Sequence, residues 1–223
     1  MNKDWTGNKH SVFTCLGASN HTESIRETND FYATAPEGGE WLLQLEPQID
    51  NVWMPFVGQG HLAEPYRKAD KLKAVSDLID RGYYPEGIMK SYGKDFMTMN
   101  KVWNGDIVDN PPYKDVTKYV KHCLDLINDG HWLALFMKIT FLEGKERKEF
   151  FKKFPPVRVW VSSSRILCAK NGEFEYPKTD KDGNVKSDKN GNPIMTKMSS
   201  ASCYCWFVWQ KGHKGDTVLK WFN

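Results

Sequence analysis

The stretch DIVDNPPYKD, residues 106–115, follows an apolar run with an amide, two prolines and an aromatic ring. Proline cannot donate a backbone hydrogen bond to a sheet ladder, so Pro111 and Pro112 end the preceding strand. The residues after the strand form a rigid loop that carries Asn110 and Tyr113 at the strand's carboxyl end. In open α/β sheets, ligands bind at that end. We therefore expect this loop to hold a ligand.

Strand-like and helix-like segments alternate on either side of this loop. Before it, residues 51–60 form an apolar strand running into a glycine loop, and residues 71–82 form a second strand with an acidic end. After it, residues 114–130 repeat apolar side chains at helical spacing, and residues 131–139 form a buried strand. This alternation predicts an α/β fold with a mostly parallel sheet and helices on both faces. The last two strands lack a helix between them, so we expect them to pair antiparallel.

The length of 223 residues suits one domain, or one domain with an insertion. We interpret residues 1–28, which are polar without a clear period, as an N-terminal arm, and residues 29–223 as the domain. A polar stretch at about 170–198 contains Asp-Gly and Asn-Gly pairs, which predict an inserted long loop or flexible hairpin.

Membrane and metal partners are not expected. The sequence has no apolar run near the ~20 residues that span a bilayer, and its first residues do not resemble a signal peptide. The five cysteines contain no CxxC pair, and the six histidines lack metal-ligand spacing. We therefore expect reduced thiols, no bound metal and a cytoplasmic location.

Charge is spread unevenly along the chain. Residues 1–113 carry a net charge of −5, and residues 114–170 carry a net charge of +6. A basic second half is typical either of a solvated helix face or of a surface that binds a polyanion. If it binds nucleic acid, the segment 138–165 would follow the phosphates. Its candidate contacts are Lys148, Lys152, Arg158 and Arg165.

The glycine loop predicts a nucleotide-like ligand. Gly58 and Gly60 permit a tight turn and a close approach of the backbone. Ala63 stands where a dinucleotide fingerprint has its third glycine, so a nicotinamide enzyme stays possible on this motif alone. Asp77 follows at the end of the second strand, where a carboxylate can accept hydrogen bonds from ribose hydroxyls, and Asp80 is the local alternative.

Two further motifs suit an aromatic ligand and an amine. Asp95 can accept a hydrogen bond from an adenine amine while the ring of Phe96 packs on the base. The side-chain oxygen of Asn110 and the carbonyl of Pro111 can both accept from one amino group, and Tyr113 can stack on the base that bears it. This set suits an aromatic amine or amide held for attack on an electrophile.

The ordered motifs NDFYAT, PFVGQG, SDLIDRG, KDF and DNPPY resemble those of S-adenosylmethionine-dependent amino methyltransferases of DNA. The resemblance is to the small phage or prophage adenine-N6 enzymes and covers roughly residues 26–223. It implies a Rossmann-like methyltransferase fold, with a seven-stranded sheet whose last strand is antiparallel. It also implies S-adenosylmethionine as cofactor and methylation of an adenine flipped out of a DNA duplex. We expect a monomer or weak dimer in a bacterial or phage-infected cell.

The resemblance also implies roles for single residues. Pro111 and Asn110 would hold the target amine, and Tyr113 would stack on the base. The implied catalytic residues are Asn110, Pro111, Pro112 and Tyr113. The implied cofactor-binding residues are Phe31, Tyr32, Pro55, Phe56, Gly58, Gly60, Asp77, Asp95 and Phe96.

Two features depart from the family. Met54 stands where the family usually has an acid that helps to hold the cofactor's amino end, and a thioether is a weak acceptor. The chain also offers only the stretch at about 170–198 in place of a full target-recognition domain. Two alternatives stay open: a methyltransferase that acts on RNA or a protein glutamine, and a catalytically weak nucleic-acid-binding homologue.

Overall fold

The computed structural model describes residues 32–170, 172–198 and 202–223. The arm predicted for residues 1–28 and the predicted contact of Phe31 lie outside these residues. The strands are β1 (Tyr32–Thr34), β2 (Val52–Met54), β3 (Leu72–Asp77), β4 (Met89–Tyr92), β5 (Ile107–Asp109), β6 (Trp132–Lys138), β7 (Arg158–Ser162), β8 (Cys168–Lys170), β9 (Glu175–Pro177), β10 (Met195–Lys197), β11 (Tyr204–Gln210) and β12 (Val218–Phe222). The α-helices are α1 (Pro36–Leu45), α2 (Ala63–Lys68), α3 (Val116–Asp125) and α4 (Lys145–Lys153). Short 3₁₀ turns span Phe96–Thr98 and Ile139–Leu142.

The central sheet has the strand order β12-β7-β11-β6-β5-β2-β3-β4. The strands from β4 to β6 pair in parallel, and β11 lies antiparallel between β6 and β7. The predicted α/β fold with a mostly parallel sheet and an antiparallel pairing of β7 and β11 is confirmed. The predicted number of seven strands is wrong, because β12 pairs in parallel with β7 as an eighth strand. Four of the five residues of β12 are exposed, so it has no alternating apolar pattern to mark it.

Helices cover both faces of the sheet and form two cores. On one face, Leu42 of α1 packs with Phe136 and Trp206 of the sheet. The indole nitrogen of the buried Trp206 donates to the carbonyl of Gly38 in α1, 3.0 Å away. On the other face, Val120 of α3 packs with sheet residues such as Phe207. Alternate side chains of one strand thus enter opposite cores, as the pleat requires.

The chain reverses its direction of travel across the sheet between β2 and β5. From β2 it proceeds to β3 and β4 on one side, and it then returns to β5 and β6 on the other side. The loops that follow β2 and β5 therefore diverge at the carboxyl ends of these two strands. This is the topological switch point, where open α/β sheets hold their ligands.

Two smaller sheets complete the described residues. The strand β1 pairs antiparallel with β8, and β9 pairs antiparallel with β10 inside the polar stretch at about 170–198. Two Asp-initiated turns lie between β9 and β10. Asp180 accepts hydrogen bonds from the backbone of Asp182 and Asn184, which is the turn chemistry that the Asp-Gly pair predicts. Within the described ranges, no helix is long and apolar enough to cross a membrane.

Candidate active site

A cavity opens at the switch point and gathers most of the predicted site residues. Those that line it are Tyr32, Pro55, Phe56, Asp77, Asp95, Phe96, Asn110, Pro111, Pro112 and Tyr113. Gly58 and Gly60 do not line it, although they belong to the loop that bounds it. The lining residues that the sequence analysis missed include Thr34, His61, Arg81, Asp109 and Tyr119.

Asp77 fastens the glycine loop to the end of β3. Its Oδ2 accepts the backbone N–H of Gly58 at 2.8 Å. Its Oδ1 accepts the N–H of Ile79 at 3.0 Å and the guanidinium of Arg81 at 3.2 Å. One lone pair of Oδ2 is left for a further donor, since a carboxylate oxygen accepts two hydrogen bonds. Asp77 therefore both shapes the loop and offers an acceptor to the cavity.

Gly60 is required by the path of the same loop. Its φ is 84°, in the left-handed region that glycine adopts without strain. A side chain there would also collide with the ring of Tyr83, whose hydroxyl donates to Glu64 at 2.8 Å. The close contact between loop and ring explains the second glycine of the motif.

Aromatic rings form one wall of the cavity. The ring centroid of Phe56 lies 4.9 Å from that of Phe96 and 5.2 Å from that of Tyr119, both edge to face. Asp95 caps the turn that begins at Phe96, because its Oδ1 accepts the N–H of Met97 at 2.9 Å. The wall thus places the exposed carboxylate of Asp95 beside the buried ring of Phe96.

Asn110 is held by strand β1. Its Nδ2 donates to Oγ1 of Thr34 at 2.9 Å and to the carbonyl of Tyr32 at 3.2 Å, and lies 3.9 Å from Sγ of Cys168 in β8. A carbonyl can only accept, so the amide nitrogen faces β1 and Oδ1 points away from it. Within the described part of the chain, Oδ1 is buried without a hydrogen-bond partner.

The ring of Tyr113 lies among aromatic side chains and one cation. Its centroid is 6.1 Å from that of Tyr32 and 6.4 Å from that of Tyr204. The ammonium of Lys138, at the end of β6, lies 5.0 Å from the Tyr113 ring centroid. Lys138 therefore places a positive charge at the carboxyl end of β6, from which the chain continues to the basic helix α4.

Asp109 is a buried carboxylate that the sequence analysis did not single out. It is 2% exposed, its Oδ2 accepts the N–H of Phe56 at 2.5 Å, and its Oδ1 accepts the N–H of Asn110 at 2.8 Å. Burial, together with repulsion from Asp77, raises the pKa of Asp109 to about 7, although both N–H donors oppose the rise. Its position directly before the Asn-Pro-Pro-Tyr motif was the signal available in the sequence.

The four predicted phosphate contacts have different surroundings. Lys148 and Lys152 are exposed on α4, where Lys152 pairs with Glu149 at 2.7 Å, and Arg165 is also exposed. Arg158 instead makes two hydrogen bonds of 2.5 Å with Glu46, which is 1% exposed. A phosphate at Arg158 would compete with this buried carboxylate, so α4 is the more accessible cationic surface. Among the described residues, no cluster of His, Cys, Asp or Glu is arranged to hold a metal.

Three solved structures with a similar fold are described as methyltransferases. One is a candidate RNA methyltransferase from Pyrococcus horikoshii (TM-score 0.54, 11% identity, 92% of this chain and 99% of that chain covered). Another is a candidate class I S-adenosylmethionine-dependent methyltransferase from Listeria monocytogenes (TM-score 0.53, 10% identity, 95% and 71% covered). A third is an S-adenosylmethionine-dependent O-methyltransferase from Thermotoga maritima (TM-score 0.50, 12% identity, 83% and 69% covered). The chain has the fold of S-adenosylmethionine-dependent methyltransferases, which is what likeness at such identities shows. No protein-family model matches the sequence, and no curated protein matches it.

Proposed function

We propose that this chain is an S-adenosylmethionine-dependent methyltransferase that methylates the N6 amine of an adenine flipped out of a DNA duplex. The observation that carries the proposal is Oδ1 of Asn110, a buried acceptor with no hydrogen-bond partner in the described residues, at a switch-point cavity. A buried acceptor without a donor is costly, by about 1–3 kcal/mol. An exocyclic amine brings two N–H donors and would satisfy Asn110 and the neighbouring carbonyl of Pro111 together.

The cavity residues fit S-adenosylmethionine. Asp77 has a lone pair free for a ribose hydroxyl, the rings of Phe56 and Phe96 offer an apolar wall for an adenine ring, and Asp95 offers a carboxylate beside that wall. When bound, this cofactor supplies an electrophilic methyl group on a positively charged sulfur. The glycine loop bounds the same cavity through Val57 and Gln59.

Asn110 and Pro111 would act on the nucleophile. The amine of adenine is a weak nucleophile because its lone pair is delocalised into the ring. Hydrogen bonds from its two N–H groups to Oδ1 of Asn110 and to the carbonyl of Pro111 would favour a localised lone pair. They would also stabilise the positive charge that develops on nitrogen during attack. Thr34 and the Tyr32 carbonyl already fix the amide in this orientation, so little reorganisation is needed.

Tyr113 and the lysines would bind the nucleic acid. A base inside a duplex cannot reach a buried amide, so it has to leave the stack, and the Tyr113 ring would support it. Lys138 beside that ring supplies positive charge at this edge of the sheet, and Lys148 and Lys152 supply exposed positive charge on the following helix. An RNA acceptor is the second candidate, because it carries the same phosphates and one similar structure is described as a candidate RNA methyltransferase.

Transfer of a tritiated methyl group from S-adenosylmethionine tests the proposal. Adenine-containing duplex DNA, structured RNA and protein are offered side by side, with product DNA digested to locate the labelled base. We expect label in N6-methyladenine of DNA and its loss in Asn110→Ala. Label in RNA or protein alone would overturn the DNA assignment. Binding of duplex DNA without any transfer would instead favour the catalytically weak homologue.

The salt dependence of duplex binding tests the role of α4. The logarithm of the binding constant should fall with the logarithm of salt by about 0.9 per phosphate neutralised. Replacing both Lys148 and Lys152 by Glu should flatten that slope by roughly 2 if each contacts one phosphate. The matched control replaces Lys68 and Lys101 by Glu, since both are exposed and distant from α4 in sequence. Equal slopes in the two double variants would exclude α4 as the phosphate-binding surface.

A further inference from the structure

The cavity contains a buried carboxylate that the protein itself does not neutralise. Asp109 lies at the end of β5, between the loop after β2 and the loop that begins at Asn110. In the described residues, no Lys, Arg or His lies within salt-bridge distance of Asp109. Its neighbour Asp77 differs, since Arg81 pairs with it at 3.2 Å. The two carboxylates therefore line one cavity, but only Asp77 has a cation from the protein.

A buried ionised carboxylate without a cation is unfavourable, because desolvation is compensated only by hydrogen bonds. Two backbone N–H groups meet part of this cost at Asp109. Its surroundings otherwise oppose a negative charge, because the site is desolvated and the charge of Asp77 lies nearby. The ring of Tyr119 lines the same cavity from α3. A cation that enters the cavity would pair with the carboxylate of Asp109, for which the described residues supply no cation.

The free lone pairs of Asp109 specify the kind of cation. Each carboxylate oxygen accepts one backbone N–H and can accept one more hydrogen bond. An ammonium group supplies such donors, whereas a sulfonium has none. Met54 cannot serve instead, because it is fully buried in the core and does not line the cavity.

We propose that Asp109 binds the ammonium group of the methionine part of S-adenosylmethionine and so holds the cofactor against the loop that begins at Asn110. This assignment rests on the proposed function, because it takes the cofactor from it. The cofactor's ammonium then becomes the cation for Asp109, next to the residue that orients the target amine. Binding of the cofactor and the position of the Asn110 loop are thereby coupled through one side chain.

Calorimetry with two neutral-sulfur ligands tests the assignment. S-adenosylhomocysteine carries the ammonium, and 5′-methylthioadenosine lacks the amino-acid part. Asp109→Asn should weaken S-adenosylhomocysteine about ten- to hundredfold, as expected for a lost charge-assisted hydrogen bond, and change 5′-methylthioadenosine less than about twofold. Asp106→Asn is the control, because Asp106 is equally buried at the opposite end of the same strand. It should leave both affinities unchanged.

Proton release provides a second measurement that needs no variant. Because burial and Asp77 raise the pKa of Asp109 to about 7, roughly half of the free protein carries its proton at pH 7. Binding of the ammonium should release it, so calorimetry in buffers of different ionisation enthalpy should show on the order of half a proton released per S-adenosylhomocysteine. No release with 5′-methylthioadenosine is expected.

Four outcomes would overturn the assignment. Equal weakening of both ligands in Asp109→Asn would mean that Asp109 only joins the two loops. Unchanged S-adenosylhomocysteine affinity in Asp109→Asn, or binding to the wild-type protein without proton release, would exclude the ion pair while leaving the proposed function intact. Failure of the wild-type protein to bind either ligand would overturn the proposed function and this assignment with it.

Discussion

The two ends of strand β5 each bury an aspartate, and the two are bound differently. Asp106 precedes the strand and is 3% exposed. Its Oδ2 accepts the N–H of Asp50 at 2.8 Å, and its Oδ1 accepts the N–H of Trp132 at 2.8 Å and Nδ1–H of His131 at 3.0 Å. Asp109 ends the strand, is 2% exposed, and has two backbone donors and no basic side chain within the described residues.

The difference separates an edge of the sheet that the protein's own donors saturate from one that lines a cavity. Asp106 joins β5 to the starts of its neighbours β2 and β6, and donors of the protein itself use three of its acceptor positions. Asp109 joins two loops around a cavity and keeps acceptor positions free. Residue type, strand and burial are the same at both ends. The supply of donors by the protein therefore distinguishes a carboxylate that stabilises the fold from one that is available to a ligand.

The largest effect that the comparison predicts is on the rate at the carboxyl edge. Asn110→Ala should lower single-turnover methyl transfer by about 10²–10³, the usual loss for one preorganised acceptor or donor in a transition state. Cofactor affinity should stay within about twofold, because Asn110 is assigned to the target amine. The rate is measured by quenching single-turnover methyl transfer to an adenine-containing duplex at successive times, with the cofactor at saturating concentration. A wild-type rate in this variant would mean that the loop merely ends a strand.

The next effect is on stability at the amino edge. Asp106→Asn should lower the free energy of unfolding by about 1–3 kcal/mol. The amide nitrogen of Asn would replace one carboxylate oxygen, and the backbone N–H that donates to that oxygen would lose its acceptor. Urea denaturation measures this change, and the m-value should be unchanged. Methyl transfer per folded molecule should match the wild type. Loss of turnover without loss of stability would contradict the division between the two edges.

A pH titration of stability tests the protonation of Asp109. Burial and Asp77 raise the pKa of Asp109 from 3.8 to about 7, so the folded state binds more protons than the unfolded state between these values. Stability from this group is therefore greatest at low pH and falls as pH rises from about 4 to about 7, by at most about 1.4 kcal/mol per unit. Asn cannot titrate at this position, so the stability curve of Asp109→Asn should lack this fall, and the difference between wild type and variant should show it. A parallel pair of stability curves would show that Asp109 does not titrate in this range.

The predicted residues that line the cavity are mostly those that directly follow a strand in the sequence. The glycine loop after β2, Asp77 at the end of β3 and the loop after β5 are each adjacent to an apolar run, and parallel strands bring such ends together. Side chains that come from distant segments were not predictable in this way. Thr34 reaches Asn110 across 76 residues, and Glu46 reaches Arg158 across 112.

The missed partners share a physical reason. Contacts such as that of Thr34 depend on the pairing of β1 with β8, which are short strands outside the main sheet, and a three-residue strand carries little periodic signal. Arg158 contributed to the charge that suggested a phosphate surface, because the carboxylate that engages it is remote in sequence. The eighth strand was not predicted for a related reason, because an exposed edge strand lacks an alternation of apolar and polar residues.

The smallest effect concerns Thr34, whose hydroxyl accepts from Nδ2 of Asn110 and so orients the amide. Thr34→Val keeps the volume and removes the hydroxyl that accepts from Nδ2, while the Tyr32 carbonyl at 3.2 Å remains as a second acceptor. The loss of one neutral hydrogen bond, about 0.5–1.5 kcal/mol, should lower the transfer rate roughly three- to tenfold. Affinity for S-adenosylhomocysteine should not change, because Thr34 acts through Asn110. Thr34→Ser retains the hydroxyl and should restore most of the rate, which a purely steric role of the methyl group would not allow. If Val and Ser variants turn over equally, the orientation of the amide does not depend on Thr34, and the Tyr32 carbonyl alone determines which atom of Asn110 faces the target.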